Sequence, residues 1–173
     1  MLLIPMNDTF LRPAFSKTGV LYVVGTPIGN LGDISQRAIE TLSTVDYILA
    51  ENTVHSLQLL RHLSISTPLE KYPHYENDES FSKHTKSLLE QKNIAIISDA
   101  GLPSVSDPGQ GLIYEAIQKK IQVCVIPGAN AALNAIIASG MLSKEFCFSG
   151  FIPQKGKIKY FQKFSQILFP IIF

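Results

Sequence analysis

Three continuous apolar runs, Val20–Val24, Ile94–Ile97 and Gln122–Ile126, each give way to a turn rich in glycine or proline: GTPIGNLGD, SDAGLPSVSDPG and PGANAA. Strands of a parallel sheet are covered on both faces, so they read as unbroken hydrophobic runs rather than as alternation. The segments between them carry a helical period. In ISQRAIETLSTV the positions Ile34, Ala38, Ile39, Leu42 and Val45 form one apolar stripe, with Asp33 placed to cap it. DYILAE reads as another strand, and Asn52 or Thr53 can cap a helix through HSLQLLRHL. Past the polar stretch KYPHYENDES, the mixed charge of SKHTKSLLEQK predicts a surface helix leading into the strand NIAIISDA. Asp107 and Pro108 are placed to open one more helix, which runs through Lys119 and Lys120 into the strand IQVCVIP.

Strands and helices that alternate in this way predict an α/β fold, a parallel sheet with helices on both faces, joined by right-handed βαβ crossovers. In such a sheet the ligand crevice lies outside the carboxyl ends of the strands, which makes the three turns above the candidate site. Later in the chain, ANAALNAIIASGM reads as a helix stopped by Gly140, and FCFSGFIP as a strand that leaves the first sheet. KGKIKYFQKFSQILF has helical spacing at Ile158, Phe161, Phe164 and Leu168, before Pro170 and the apolar IIF. The expected organisation is a flexible leader over 1–18, where Pro5 and Pro13 break any regular element, an α/β domain over 19–144, and the truncated beginning of a second domain over 145–173. One strand, one helix and a strand stub do not bury their own apolar face.

Composition narrows the class without naming a function. Of the 173 residues, 46% are hydrophobic and 17% charged, as in globular proteins. The net charge of +1 means that any hold on nucleic acid must come from a local basic patch. Cys124 and Cys147 lie in apolar runs without CxxC spacing or a neighbouring histidine, so they read as buried free thiols of a reducing compartment, with no metal site. No apolar stretch reaches the roughly 18 residues of a membrane helix, and MLLIPM is too short for a signal peptide, so a cytoplasmic chain is expected.

The turn Gly25-Thr-Pro-Ile-Gly29-Asn-Leu-Gly32 has neither the GxGxxG order of a dinucleotide fold nor the GK[ST] ending of a P-loop. It remains a place where backbone amides approach a ligand, or a plain βα turn. The loop from Ser98-Asp99 to Ser106-Asp107 crowds acidic residues and glycines after one strand; Asp99 can receive ligand hydroxyls or amines, while Asp107 is explained more simply as a helix cap. Pro127-Gly128-Ala129-Asn130 supplies small residues beside them.

Taken together, GTPIGNLGDISQRA, the segment ending in AENTVH, SDAGLPSVSDPG, PGANAA and FCFSGFIPQKGK resemble the ribosomal RNA small-subunit methyltransferase I group of the tetrapyrrole methylase superfamily, from Gly19 to Phe173. The resemblance implies two α/β domains, with S-adenosylmethionine in the cleft between them, in a homodimer that methylates the ribose 2′-hydroxyl of a cytidine in small-subunit ribosomal RNA. Residue by residue it places the cofactor on Pro27, Ile28 and Gly29, on Ser98, Asp99, Ala100 and Gly101, on Ser106, and on Pro127, Gly128 and Ala129.

Glu51, His55 and Asp99 are the ionisable groups nearest the strand ends, and each is a candidate base for the hydroxyl proton; a turn-orienting role for Glu51 and a solvated position for His55 are equally open. Lys155, Lys157, Lys159 and Lys163, interleaved with Tyr160 and Phe161, suit phosphate contacts and base stacking, or a solvated helix face. His62, His74 and His84 lack ligand partners at metal spacing. The chain departs from the family pattern at Asn52, Val54 and Leu102, where the family usually has Asp, Arg and Thr. With its early ending, this leaves two other readings: methylation of a tetrapyrrole-like small molecule, or an inactive remnant that binds the cofactor poorly.

Overall fold

The structure, a computed structural model, describes residues 17–73, 79–141 and 143–173; the expectations placed on residues 1–16 and on His74 lie outside them. Five parallel strands form one sheet: β1 (Val20–Val24), β2 (Tyr47–Ala50), β3 (Leu69–Lys71), β4 (Ile94–Ile97) and β5 (Gln122–Ile126), in the spatial order β3-β2-β4-β1-β5. The register sets Leu21 between Ile94 and Val123. Alternate side chains then fall on opposite faces. On one face Leu21, Leu49, Ile94 and Ile96 pack against Phe81 and Leu88 of α3 (Glu79–Leu89) and Leu112 and Ala116 of α4 (Gln110–Gln118). On the other, Val24, Ile48, Ala95 and Ile97 meet Ala38 and Leu42 of α1 (Gln36–Thr44) and Leu60 of α2 (Thr53–His62). The expected two-faced α/β sheet is present.

Local expectations fail where a neighbouring residue competes better for the same role. Asp33 does not cap α1: it lies in a 3-10 turn (Leu31–Asp33), and Ser35 caps the helix, its Oγ accepting from the Ala38 amide at 3.1 Å. Asp107 does not cap α4 either. Gly109, at φ +141°, turns the chain into that helix with no side-chain cap, so Pro108 stays outside. Asn52 does cap α2, accepting from the amides of Val54 and His55. The mixed charge of α3 hides an apolar stripe: Phe81, His84, Thr85 and Leu88 are all buried, at helical spacing. His84 Nδ1 lies 2.9 Å from the Tyr47 hydroxyl, and burial holds its imidazole below the ordinary histidine value. The short strand β3 had no apolar run to announce it. Cys124 and Cys147 are free but half-buried rather than buried, because β5 is an edge strand and Cys147 lies outside the main sheet.

After β5 come α5 (Ala131–Ala138), capped by Asn130, and a separate parallel pair, β6 (Cys147–Phe148) with β7 (Ile171–Ile172). Between those two strands α6 spans only Lys157–Gln162, shorter than the spacing to Leu168 predicts. Phe164 leaves the helical line to join an edge-on cluster with Tyr160 and Phe173, and Leu168 is 98% exposed. None of the described residues after Ile126 is buried.

Candidate functional site

Strands β1 and β4 are neighbours, but β1 exits toward α1 on one face and β4 toward α4 on the other. Two adjacent strands whose connections diverge leave a crevice at their carboxyl ends. The backbone then ties the diverging turns together. Thr26 and Gly101 exchange amide hydrogen bonds of 2.9 and 3.1 Å, and the buried Thr26 hydroxyl donates to the carbonyls of Ser98 and Gly101. The third turn joins through a glycine pair: a Cβ on Gly25 would stand 2.8 Å from the Gly128 amide nitrogen and Cα, a separation only two glycines tolerate. All three turns form a single rim. Within the β4 turn Ser104 holds φ +74°, and its carbonyl accepts from Gln110 Nε2 at 2.8 Å, so the loop is kept in a conformation a non-glycine residue rarely adopts.

Two clefts open from this rim and share Ile28 and Ala100 as a common wall. The first, about 560 Å³, runs from Gly101 and Ser106 past Ala129 and the first turn of α5 to the phenyl rings of Phe146, Phe148, Phe151 and Phe173. The second, about 380 Å³, lies against α2 and is walled by Pro27, Gly29, Leu31, His55, Gln58, Leu59, His62 and Asp99.

The expected cofactor residues therefore divide. Gly101, Ser106 and Ala129 line the first cleft, Pro27, Gly29 and Asp99 the second, and Ile28 and Ala100 both. Ser98, Pro127 and Gly128 line neither. Ser98 is buried beneath the β4 turn, within hydrogen-bond distance of the Gly101 carbonyl, and Gly128 packs on Gly25, so these two shape the rim from behind. Among the candidate bases, His55 and Asp99 come together, with Nδ1 and Oδ1 3.7 Å apart. Asp99 Oδ1 is shielded from solvent and makes no hydrogen bond among the described residues. Glu51, at the exit of β2, lines neither cleft but has a partner of its own.

Asn52 keeps the capping geometry that an aspartate would provide, and Val54 is 71% exposed outside both clefts. Lys155, Lys157, Lys159 and Lys163 are all exposed on and around α6, with Lys163 Nζ 5.8 Å from the Tyr160 ring centroid. No group of three or more potential metal ligands occurs among the described residues. None of the described helices is long and apolar enough to cross a membrane.

Sequence reasoning missed Gln58, Leu59 and His62. Their signal was present in the spacing 55, 58, 59, 62, which sets one face of α2 toward the cleft. It also missed the aromatic wall of Phe146, Phe148, Phe151 and Phe173, which lies in and around β6 and at the last residue, outside the three turns.

The family model for tetrapyrrole (corrin/porphyrin) methylases matches residues 20–162. The chain belongs to that family. Among curated relatives, proteins named ribosomal RNA small subunit methyltransferase I are similar to this chain. The one from Haemophilus influenzae is 47% identical over 142 residues, covering 82% of the chain and 50% of the relative. That from Halalkalibacterium halodurans is 49% identical over 140 residues, covering 80% and 48%. The chain thus spans about half the length of the curated relatives it matches. A uroporphyrin-III-C-methyltransferase structure from Thermus thermophilus superposes with a TM-score of 0.55 at 21% identity, covering 75% of this chain and 58% of that one. A putative cobalamin synthesis related protein (CobF) from Corynebacterium diphtheriae gives 0.53 at 18%, covering 76% and 63%. These structures bear on the fold alone.

Proposed function

We propose that this methylase chain serves S-adenosylmethionine-dependent methylation of the ribose 2′-hydroxyl of a cytidine in small-subunit ribosomal RNA, as part of a cytoplasmic homodimer. The observation that carries the reading is the joining of three turns into one rim at the β1/β4 divergence, together with relatives named for that RNA. The first cleft fits the cofactor. Its volume lies in the usual range for small ligands, about 300–1,000 Å³, and its lining mixes small residues with phenyl rings. Gly101 opens the floor further: a Cβ there would stand 3.5 Å from Ile28 Cγ2 and 3.7 Å from the Ala129 carbonyl oxygen.

Bound in that cleft, S-adenosylmethionine supplies an electrophilic methyl group on a sulfonium. The chain's own contribution is positional and basic. Ile28 and Ala100, common to both clefts, set how closely an acceptor in the second can approach a donor in the first, and near-attack placement supplies much of the acceleration in such transfers. His55 Nδ1 and Asp99 Oδ1 lie 3.7 Å apart, and between them they supply the base that takes the hydroxyl proton. The exposed lysines around α6 hold RNA phosphates.

The test uses the full polypeptide that the gene encodes, with labelled methyl donor and unmodified small-subunit RNA, followed by digestion to nucleosides. Label in 2′-O-methylcytidine is expected. Label on a base, or transfer to a tetrapyrrole and none to RNA, overturns the reading.

A further inference from the structure

Thr26 lies two residues beyond the end of β1, is 1% exposed and lines neither cleft, so it touches no ligand held in them. The sealed positions just before it, Val23 and Val24, are aliphatic, and a valine of nearly the same shape would fill this place without a hydroxyl to desolvate. The hydroxyl has a use other than packing. Its Oγ1 lies 3.2 Å from the Ser98 carbonyl and 3.3 Å from that of Gly101, while the Thr26 amide already donates to the Gly101 carbonyl at 2.9 Å. A hydroxyl carries one hydrogen, and with Gly101 served by the amide it is available to Ser98. Thr26 thus holds the β4 turn at two carbonyls, one on either side of Asp99 and Ala100. Ser98 Oγ reinforces the same turn, 3.4 Å from the carbonyls of Ala100 and Gly101.

The two residues between these anchors are the ones on which transfer depends. Asp99 faces His55 across 3.7 Å, longer than a hydrogen bond, and both side chains are partly exposed, so the pair does not fix its own geometry. Each partner is held through its backbone instead. The His55 amide is bound by the Asn52 cap at 3.3 Å, and Asp99 is held by its tied neighbours. Ala100 is one of the two residues common to both clefts. The other, Ile28, follows Thr26 by two positions, and its Cγ2 stands 3.5 Å from where Gly101 would carry a Cβ. One buried hydroxyl therefore underlies both the base and the partition between the clefts.

Resting on the methyltransferase reading above, we infer that Thr26 is a positioning residue for methyl transfer: its hydroxyl, bonded to the Ser98 carbonyl, fixes the 98–101 backbone and through it the Asp99 carboxylate beside His55 and Ala100 between donor and acceptor. Without the hydroxyl, the Ser98 carbonyl loses its donor in a buried place, and the turn shifts to find another. The amide exchange between Thr26 and Gly101 uses main-chain atoms only and persists in every substitution, so the rim stays joined. The loss then falls on the chemical step, where small displacements of reacting groups are felt most, and little on binding.

The test compares Thr26→Val, Thr26→Ala and Thr26→Ser in the full polypeptide that the gene encodes, with labelled methyl donor, unmodified small-subunit RNA, urea unfolding, and the ring resonances of His55. Thr26→Val and Thr26→Ala are each expected to lower kcat roughly ten- to a hundredfold, with KM for donor and RNA changed less than about threefold. Thr26→Ser, which keeps the hydroxyl, is expected to return kcat to within about threefold of the parent and the His55 resonances to their parent positions. A merely stabilising hydroxyl would lower the folded fraction and leave kcat per folded molecule, and His55, as they were. An active parent with kcat unchanged in Thr26→Val, a loss confined to KM, no rescue by serine, or failure of both hydroxyl-free variants to fold overturns the inference alone. A parent that methylates no RNA overturns the methyltransferase reading, and this inference with it.

Discussion

Residues 19–126 and the described residues that follow them differ in how they hold together. In the first region the strands present alternate side chains to two layers of helices, and Leu21, Ile48, Leu49, Leu88 and Ile94 are fully sealed. In the second, α5 is apolar along most of its length yet buries no residue, and Ile137 is 77% exposed. What holds the later region is a two-residue strand pair, an edge-on aromatic cluster and the Tyr160–Ser149 hydroxyl contact at 2.7 Å. The first cleft is built from both regions: Ile28 and Gly101 come from the packed one, Phe148 and Phe173 from the open one. A cleft with one wall anchored in a core and the other lightly held can admit a ligand by movement of the second wall alone.

Core truncation separates the two regions most strongly. Leu49→Ala is expected to lower stability by about 2–5 kcal/mol in urea unfolding, whereas Ile137→Ala changes it by less than about 0.5 kcal/mol. Equal losses would erase the contrast. Next comes the glycine pair that joins the first and third turns. Gly25→Ala forces a Cβ to within 2.8 Å of the Gly128 backbone and is expected to cost about 1–3 kcal/mol, with loss of S-adenosylmethionine binding measured by calorimetry.

Asn52→Ala removes the α2 cap and is expected to cost about 1 kcal/mol, while Asn52→Asp restores the stability because either side chain accepts the same amides. That residue also shows what the sequence made legible. The cap at Asn52, the parallel strands and their converging turns follow from short-range pattern. The caps at Asp33 and Asp107 did not hold, because Ser35 and Gly109 compete at a range of two residues, where pattern decides little. Strand β3 and the buried stripe of α3 depend on long-range pairing with β2 and α4, which no local period reports. At the site, the rim was readable from the turns, but its division into two clefts was not. That division comes from the α2 face and from Phe146, Phe148, Phe151 and Phe173, all far beyond β4 in the chain.

A smaller effect tests the packed region through pH. Burial lowers the His84 pKa below 6.5, against the opposing pull of Glu70. The unfolded chain therefore binds the proton first, and stability present above pH 6.5 declines as pH falls through the folded-state value. His84→Gln should flatten that decline in unfolding midpoints measured across the acid range; an unchanged slope would assign it to other groups. Smallest in stability is the open region's lysine set. Lys157→Ala and Lys159→Ala should leave unfolding unchanged, yet each reduces the salt dependence of RNA binding by about 0.7 in log–log slope.

The central claim, that the converged turns after β1, β4 and β5 hold a methyl donor, is tested most directly by amide shift mapping of the labelled chain with S-adenosylmethionine. The account predicts saturable changes concentrated at 25–29, 98–107 and 127–132, reproduced by S-adenosylhomocysteine and lost in Gly25→Ala. Changes centred elsewhere, or none at saturating donor, would contradict it.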